Sequence, residues 1–278
     1  MRFYTLSSFL LLVNLLFAGG ETQVIGAKQA GMAFTGVCEI DEYSSFNNAA
    51  ASAFLEIPSL SFYAANHFLL PELNRLSSAF TYPNKKLGSF SINYTFWGYK
   101  AYQESKLAFA YARKFGKIFS TGLSFNYNRL SIIDNGSKNL FSLNIDLFCQ
   151  LSEKLRLGMH IINPARQKLN KQNKETLASQ IHFGLRYEAH PKFILCLEMQ
   201  KDLQYPLLIK LACNYIIDPK FQLRFGAASM PTYFTLGIGS QFKNLKMDLA
   251  STWNLQLGYA PQFSLSYLFH KDKNDENN

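Results

Sequence analysis

From Ser59 onward the chain alternates. Phe90, Ile92, Tyr94 and Phe96 interleave with Ser91, Asn93, Thr95 and Trp97, and Phe119, Thr121, Leu123, Phe125 and Tyr127 with Ser120, Gly122, Ser124, Asn126 and Asn128. Phe141, Leu143, Ile145 and Leu147 do the same with Ser142, Asn144 and Asp146. Strand side chains point to opposite faces in turn, so each segment presents one apolar face and one polar or small face. Fourteen such segments are predicted, at 59–68, 74–82, 88–98, 104–115, 117–131, 139–151, 154–163, 177–189, 192–201, 206–217, 220–229, 231–242, 244–255 and 262–269. An even number of half-apolar strands suits a single-chain transmembrane barrel, whose strands need only about ten residues to cross the apolar layer. The fold expected is all-β: a transmembrane antiparallel β-barrel of about 14 strands with an N-terminal plug.

Composition agrees. Aromatic residues make up 15% of the chain while the mean hydropathy is −0.07, as expected when one face of each strand meets lipid and the other does not. A soluble β-sandwich fits those numbers as well, and the connections carry separate information. Those after even strands are tight: 83–87, Gly116, Ser152-Glu153, His190-Pro191, Asp218-Pro219 and Lys243-Asn244. Those after odd strands are mostly longer, as at 132–138 and 164–176. Short turns on one rim, expected to be periplasmic, and longer loops on the other is the asymmetry of outer-membrane barrels.

The ends follow a secretory plan. Residues 1–20 have Arg2, an apolar run from Phe9 to Phe17 and small residues at Ala18, Gly19 and Gly20, the layout of a signal peptide. No cysteine near that point supports a lipid anchor, and no stretch approaches the ~20 apolar residues of a helical span. Residues 21–58 do not alternate. They are small and turn-rich, with Gly26, Gly31, Gly36 and the run Asn47-Asn48-Ala49-Ala50-Ala51, and are expected to plug a lumen too wide for fourteen strands' side chains to fill. The barrel proper would occupy 59–269, and the charged tail 270–278 is expected to be disordered.

Candidate functional residues lie on the inward face. Arg156, His160, His182, Arg186, Glu188, Glu198, Lys210 and Arg224 fall on neighbouring strands with opposed signs, which points to a salt-linked wall bracing the barrel or the plug. Strand four places Ala108, Ala110 and Ala112 inward, leaving room for a plug to approach. His160 and His182 beside two arginines make a poor cation site, so no metal and no cofactor are expected. The histidines show no Ser/His/Asp spacing, so the chain is expected to be non-enzymatic. Of the four cysteines, Cys149 and Cys213 face lipid, and free thiols are expected, Cys38 with Cys196 being the pair that facing does not exclude. The net charge of +9 comes with lysines at short turns, including Lys85, Lys117, Lys154 and Lys192. They are solvated turn residues or a ring meeting anionic headgroups; nothing resembles a nucleic-acid surface.

The run Gly26-Ala27-Lys28-Gln29-Ala30-Gly31-Met32-Ala33, followed by Ser44-Ser45-Phe46-Asn47-Asn48-Ala49-Ala50, resembles the opening of barrels related to the long-chain fatty acid transporter FadL. The likeness is to the PorV/PorQ branch of Bacteroidota especially. Lys28, Ala33 and Asn48 stand where that group carries Arg, Gly and Pro. Asn163-Pro164-Ala165 and Leu257-Gly258-Tyr259-Ala260-Pro261 are also similar to it. The resemblance implies a fourteen-stranded, plugged outer-membrane barrel. FadL-type members pass hydrophobic molecules sideways through a gap in the wall, and PorV-type members are partner subunits in type IX secretion. Because this chain lacks the length for long extracellular loops, the expectation is an accessory subunit of an envelope complex, in outer-membrane lipid with an envelope protein partner. The alternative is a FadL-like transporter of hydrophobic small molecules, plugged and laterally open.

Overall fold

The computed structural model describes residues 24–133, 136–167 and 177–269. The expected signal peptide and tail lie outside them, as do 21–23 of the plug. Fourteen strands form one closed antiparallel barrel. They are β1 (Ser59–Asn66), β2 (Asn74–Asn84), β3 (Gly88–Tyr99), β4 (Tyr102–Phe115), β5 (Phe119–Ile132), β6 (Gly136–Gln150) and β7 (Leu155–Ile162). The circuit continues through β8 (Gln180–His190), β9 (Phe193–Asp202), β10 (Leu208–Asp218), β11 (Phe221–Ala228), β12 (Tyr233–Phe242), β13 (Leu245–Asn254) and β14 (Gly258–Leu268). Pairing of Ser59 with Leu268 through Ala65 with Gln262 closes it. In lipid an unpaired backbone group costs several kcal/mol, so a sheet there must have no edge.

The alternation becomes two surfaces. Phe62, Leu76, Phe109, Phe125 and Leu236 stand outward and exposed, while Ser61, Ser77, Ala108, Ala110, Asn126 and Thr235 are buried inside. No helix among the described residues is long and apolar enough to cross a membrane.

Boundaries moved where the backbone required it. β1 stops at Asn66 because Phe68 and Leu69 adopt φ values of 60° and 59°, outside the strand region. β14 starts at Gly258, not at 262, and so contains Pro261. Its ladder to β1 ends at Gln262, so the donor that proline lacks would have met no partner on that side. Ladder shifts occur between Glu188 and His190 and between Ile216 and Asp218. β12, with Gly237 and Gly239, pairs in unbroken register on both sides. The rim carrying connections 85–87, 116–118, 151–154, 191–192, 219–220 and 243–244 is called here the turn rim, and the opposite one the loop rim. The asymmetry is partial, since 100–101 and 255–257 on the loop rim are as tight as the turns.

Candidate functional site: a plugged lumen with a cavity at the loop rim

Residues 53–58 lead out of the barrel to β1, and residues 24–52 lie within it. They hold three one-turn helices, α1 (Ala27–Ala30), α2 (Ser44–Asn47) and α3 (Ala49–Ser52), and nearly every residue from Val24 to Ser52 is buried. A buried segment with so little regular structure must find other partners for its backbone, and wall and plug side chains supply them. Thr235 Oγ1 accepts from Ala33 N at 2.9 Å and donates to Gly31 O at 3.0 Å. Ser264 Oγ accepts from Ala27 N at 3.1 Å, and Ser120 Oγ donates to Ala50 O at 2.7 Å. Asp146 accepts from Ala49 N at 3.1 Å, and Glu198 from Gly36 N at 2.8 Å and Val37 N at 3.2 Å.

Asn47 and Asn48 do this within the plug. Asn47 clamps Ile25, accepting from its N–H and donating to its carbonyl, both at 2.8 Å. Asn48 caps α3 through Ala50 N at 3.1 Å and donates to Val37 O at 2.8 Å and Leu147 O at 3.0 Å. Gly26 opens α1 at φ 117°, where a side chain would strike Gln29. Gly31 lies on the wall: a Cβ there would come within 2.8 Å of the Gly237 Cα. Wall glycines meet plug backbone again where Gly122 faces Ala50, Gly158 faces Val37 and Gly226 faces Ala33, with gaps for an added Cβ of 2.5, 2.4 and 2.4 Å. These glycines, Gly237 included, let the plug backbone touch the wall.

Charges cross the lumen in two groups. The first runs strand to strand. Asp146 pairs with His160, whose ring stands 5.9 Å from that of His182; Glu198 then bonds His182 and Lys210, each at 3.1 Å. Lys210 Nζ also donates to Phe34 O at 3.2 Å, tying this line to the plug. In the second group Glu39 of the plug receives Lys28 at 2.5 Å and Arg186 at 3.3 Å, and Arg186 also faces Glu188 at 3.7 Å. Burial pushes the Glu39 carboxyl up, but Lys28 and Arg186 outweigh it and hold it down at about 2. Arg224 reaches over Gly239 to Asp248 at 2.6 Å. Arg156 forms no ion pair among the described residues.

Sequence reasoning missed the acids that complete these groups. Asp146 and Asp248 sat in plain sight on inward faces, but their pairing needs the register. Glu39, Asp41 and Glu42 formed a visible acidic run in an otherwise small-residue segment. All four cysteines are free, Cys38 and Cys196 both buried near Glu39. No cluster of three or more metal-ligating side chains occurs among the described residues.

Above the plug, toward the loop rim of β2–β8, a cavity of ≈ 120 Å³ remains. Trp97, Leu130, Leu140, Ile162 and Leu177 give it apolar walls, and Arg75, Lys106 and Arg129 add cationic groups. The Arg75 guanidinium lies 5.3 Å from the centre of the Trp97 ring. Val24, Ile25, Phe46 and Asn47 form the floor.

The closed fourteen-stranded antiparallel barrel is a fold this chain shares with FadL-type barrels. The solved structures it is similar to include the Ralstonia pickettii toluene transporter TbuX (11% identity, TM-score 0.67, covering 90% of this chain and 99% of that one). Others are a Pseudomonas aeruginosa FadL homologue (12%, TM-score 0.64, 90% and 98%) and the monoaromatic hydrocarbon channel CymD (11%, TM-score 0.64, 89% and 98%). No protein-family model and no curated protein matches the chain.

Proposed function

We propose that this barrel carries small hydrophobic molecules across an outer membrane, taking them up at the loop rim, and that the buried charges hold the plug in its seat. The observation that carries the reading is the cavity over Val24, Ile25 and Phe46, in a fold shared with hydrocarbon channels. Its ≈ 120 Å³ compares with the ~150 Å³ of an engineered apolar cavity that admits benzene, so a single ring or a short aliphatic chain is the scale of occupant. Among the described residues every strand has a neighbour on both sides, but the ladders do not run the full height of the wall: the β6–β7 ladder begins at Asn144 although β6 starts at Gly136, and the β1–β14 ladder ends at Gln262 although β14 starts at Gly258. In this reading, passage from the cavity runs past the plug residues that form its floor, Val24, Ile25, Phe46 and Asn47, which have to give way.

Trp97 provides the test, because the other tryptophan, Trp253, stands on the lipid face. In a Trp253→Phe barrel in neutral detergent, toluene should change Trp97 emission saturably, and Ser142→Phe, which fills the cavity, should weaken that response about tenfold, or ~1.4 kcal/mol. Toluene that perturbs both proteins alike and without saturation would sink the reading. The tight loop-rim connections 100–101 and 255–257 favour a second reading, an accessory subunit of an envelope complex akin to the PorV/PorQ-like branch, with an envelope protein as partner. A stoichiometric envelope protein recovered with the barrel in mild detergent supports that reading, whereas recovery of the barrel alone counts against it.

A further inference from the structure

Every connection at the turn rim carries a lysine. Lys85 and Lys86 lie in 85–87, Lys117 in 116–118 and Lys154 in 151–154. Lys192, Lys220 and Lys243 continue the series around the remaining turns, and all of these side chains are exposed. Glu153 is the one acid within those connections. The loop rim is mixed: 203–207, 229–232 and 255–257 hold no charged residue, 67–73 and 133–135 carry only the acids Glu72 and Asp134 as charges, and the lysines and arginines lie in 100–101 and 163–179 alone. Local bonds set the turn backbones. Asn84 Oδ1 accepts from Lys86 N at 2.9 Å, Ser152 Oγ from Lys154 N at 3.3 Å, and Asp218 Oδ1 from Lys220 N at 2.6 Å. The lysine positions are thus fixed by the turns, yet none of their ammonium groups makes an ion pair among the described residues.

We propose that this crown of lysines binds the anionic headgroups of phospholipids in the leaflet at the turn rim. Its height argues for lipid. Just inside the turns the outward face carries exposed aromatic rings, among them Phe115, Phe119, Tyr187, Phe193, Tyr215 and Phe242. Such rings settle at the boundary between hydrocarbon and headgroups, which sets the lysines one step outward, at the phosphates. Its shape argues the same way. A protein partner touches one arc of a barrel, whereas annular lipid touches all of it, and the lysines recur at every turn. Near a surface each lysine adds attraction of about fivefold in lipid affinity. The inference is independent of what the lumen carries.

The full chain, folded in neutral detergent and offered an equal mixture of phosphatidylglycerol and phosphatidylcholine, provides the test, with retained lipids counted by native mass spectrometry. Phosphatidylglycerol should be retained preferentially, and added salt should erode the preference, because exposed charges are screened. Replacing Lys85, Lys117, Lys154, Lys192, Lys220 and Lys243 with Gln should bring retention toward parity, while Arg at the same positions should preserve it. Lys100→Gln with Lys138→Gln at the loop rim should leave it unchanged. Equal retention by the unaltered barrel, or a preference that survives the glutamines in a folded protein, overturns the proposal; an acidic protein as the true occupant would give the first of these results.

Discussion

The lumen has two sides, and they hold the plug by different means. Along β8–β13 the contacts are charged and close: Glu198 takes two plug N–H groups and two wall side chains, Arg186 meets Glu39, and Gly226 and Gly237 bring backbone against backbone. The loop-rim end of that side is also filled, with Phe34 edge-on to Tyr233 at 6.0 Å and Tyr63 beside them in one buried cluster. Along β2–β6 the plug meets one wall carboxylate, Asp146 at Ala49 N, and its other hydrogen bonds there are neutral. Ser45 and Asn93 exchange hydrogen bonds of 2.8 and 2.9 Å, Asn47 clamps Ile25, and beyond them lies the cavity. Buried ion pairs are costly to break once formed, whereas a neutral hydrogen bond contributes only about 1 kcal/mol. The difference assigns the β8–β13 side as the anchor and the cavity floor as the part that yields.

The most damaging change should therefore fall on the anchor. Glu198→Ala leaves Lys210 and His182 without their acid and strands two plug N–H groups. The expected loss is ~3–5 kcal/mol in urea unfolding, followed by heat-modifiable gel mobility, and Glu198→Gln should recover part of it. A loss no greater than that of an Ala substitution in the floor would erase the distinction between the sides. Gly226→Val comes next. Its Cβ would stand 2.4 Å from Ala33 N, so the plug must shift, at a cost of ~1–3 kcal/mol. The expected signature is protease sensitivity of the plug with the barrel intact.

Much of this was legible in the sequence. Period two gave away the strands because each presents one apolar face outward and one polar or small face to the lumen. The individual contacts were hidden for physical reasons. Arg224 meets Asp248 across an intervening strand only because Gly239 has no side chain there, and such a pair is invisible until the register of β11, β12 and β13 is known. Asn47 and Asn48 stood out as a motif, but their work is to satisfy backbone groups of Ile25, Val37 and Leu147, and a segment without regular structure does not announce which carbonyls need partners. Pro261 read as the end of a loop because proline is rare within strands; the short ladder of β1 is what tolerates it.

On the yielding side, Asn47→Ala removes both hydrogen bonds to Ile25. It should cost ~1–2 kcal/mol of plug docking and leave barrel unfolding nearly unchanged, while raising the leak of a small solute from vesicles holding the protein. A variant that lowers barrel stability without raising leak would make the floor part of the anchor.

Acid should then separate the two sides with the gentlest perturbation. Glu39 is held down at about 2 from an ordinary 4.5 by Lys28 and Arg186, so its contribution is complete above the ordinary value and disappears as pH falls through the depressed one. From neutral pH to about 4.5 the docking of the Glu39 segment should hold steady, and below that it should weaken progressively toward pH 2. The Asn47 clamp has no titratable atom and should not follow. Hydrogen exchange at low pH distinguishes them: the segment around Glu39 should lose protection before the amide of Ile25 does. Simultaneous loss at both places would mean that the plug leaves as one body, and the contrast between anchor and floor would not survive it.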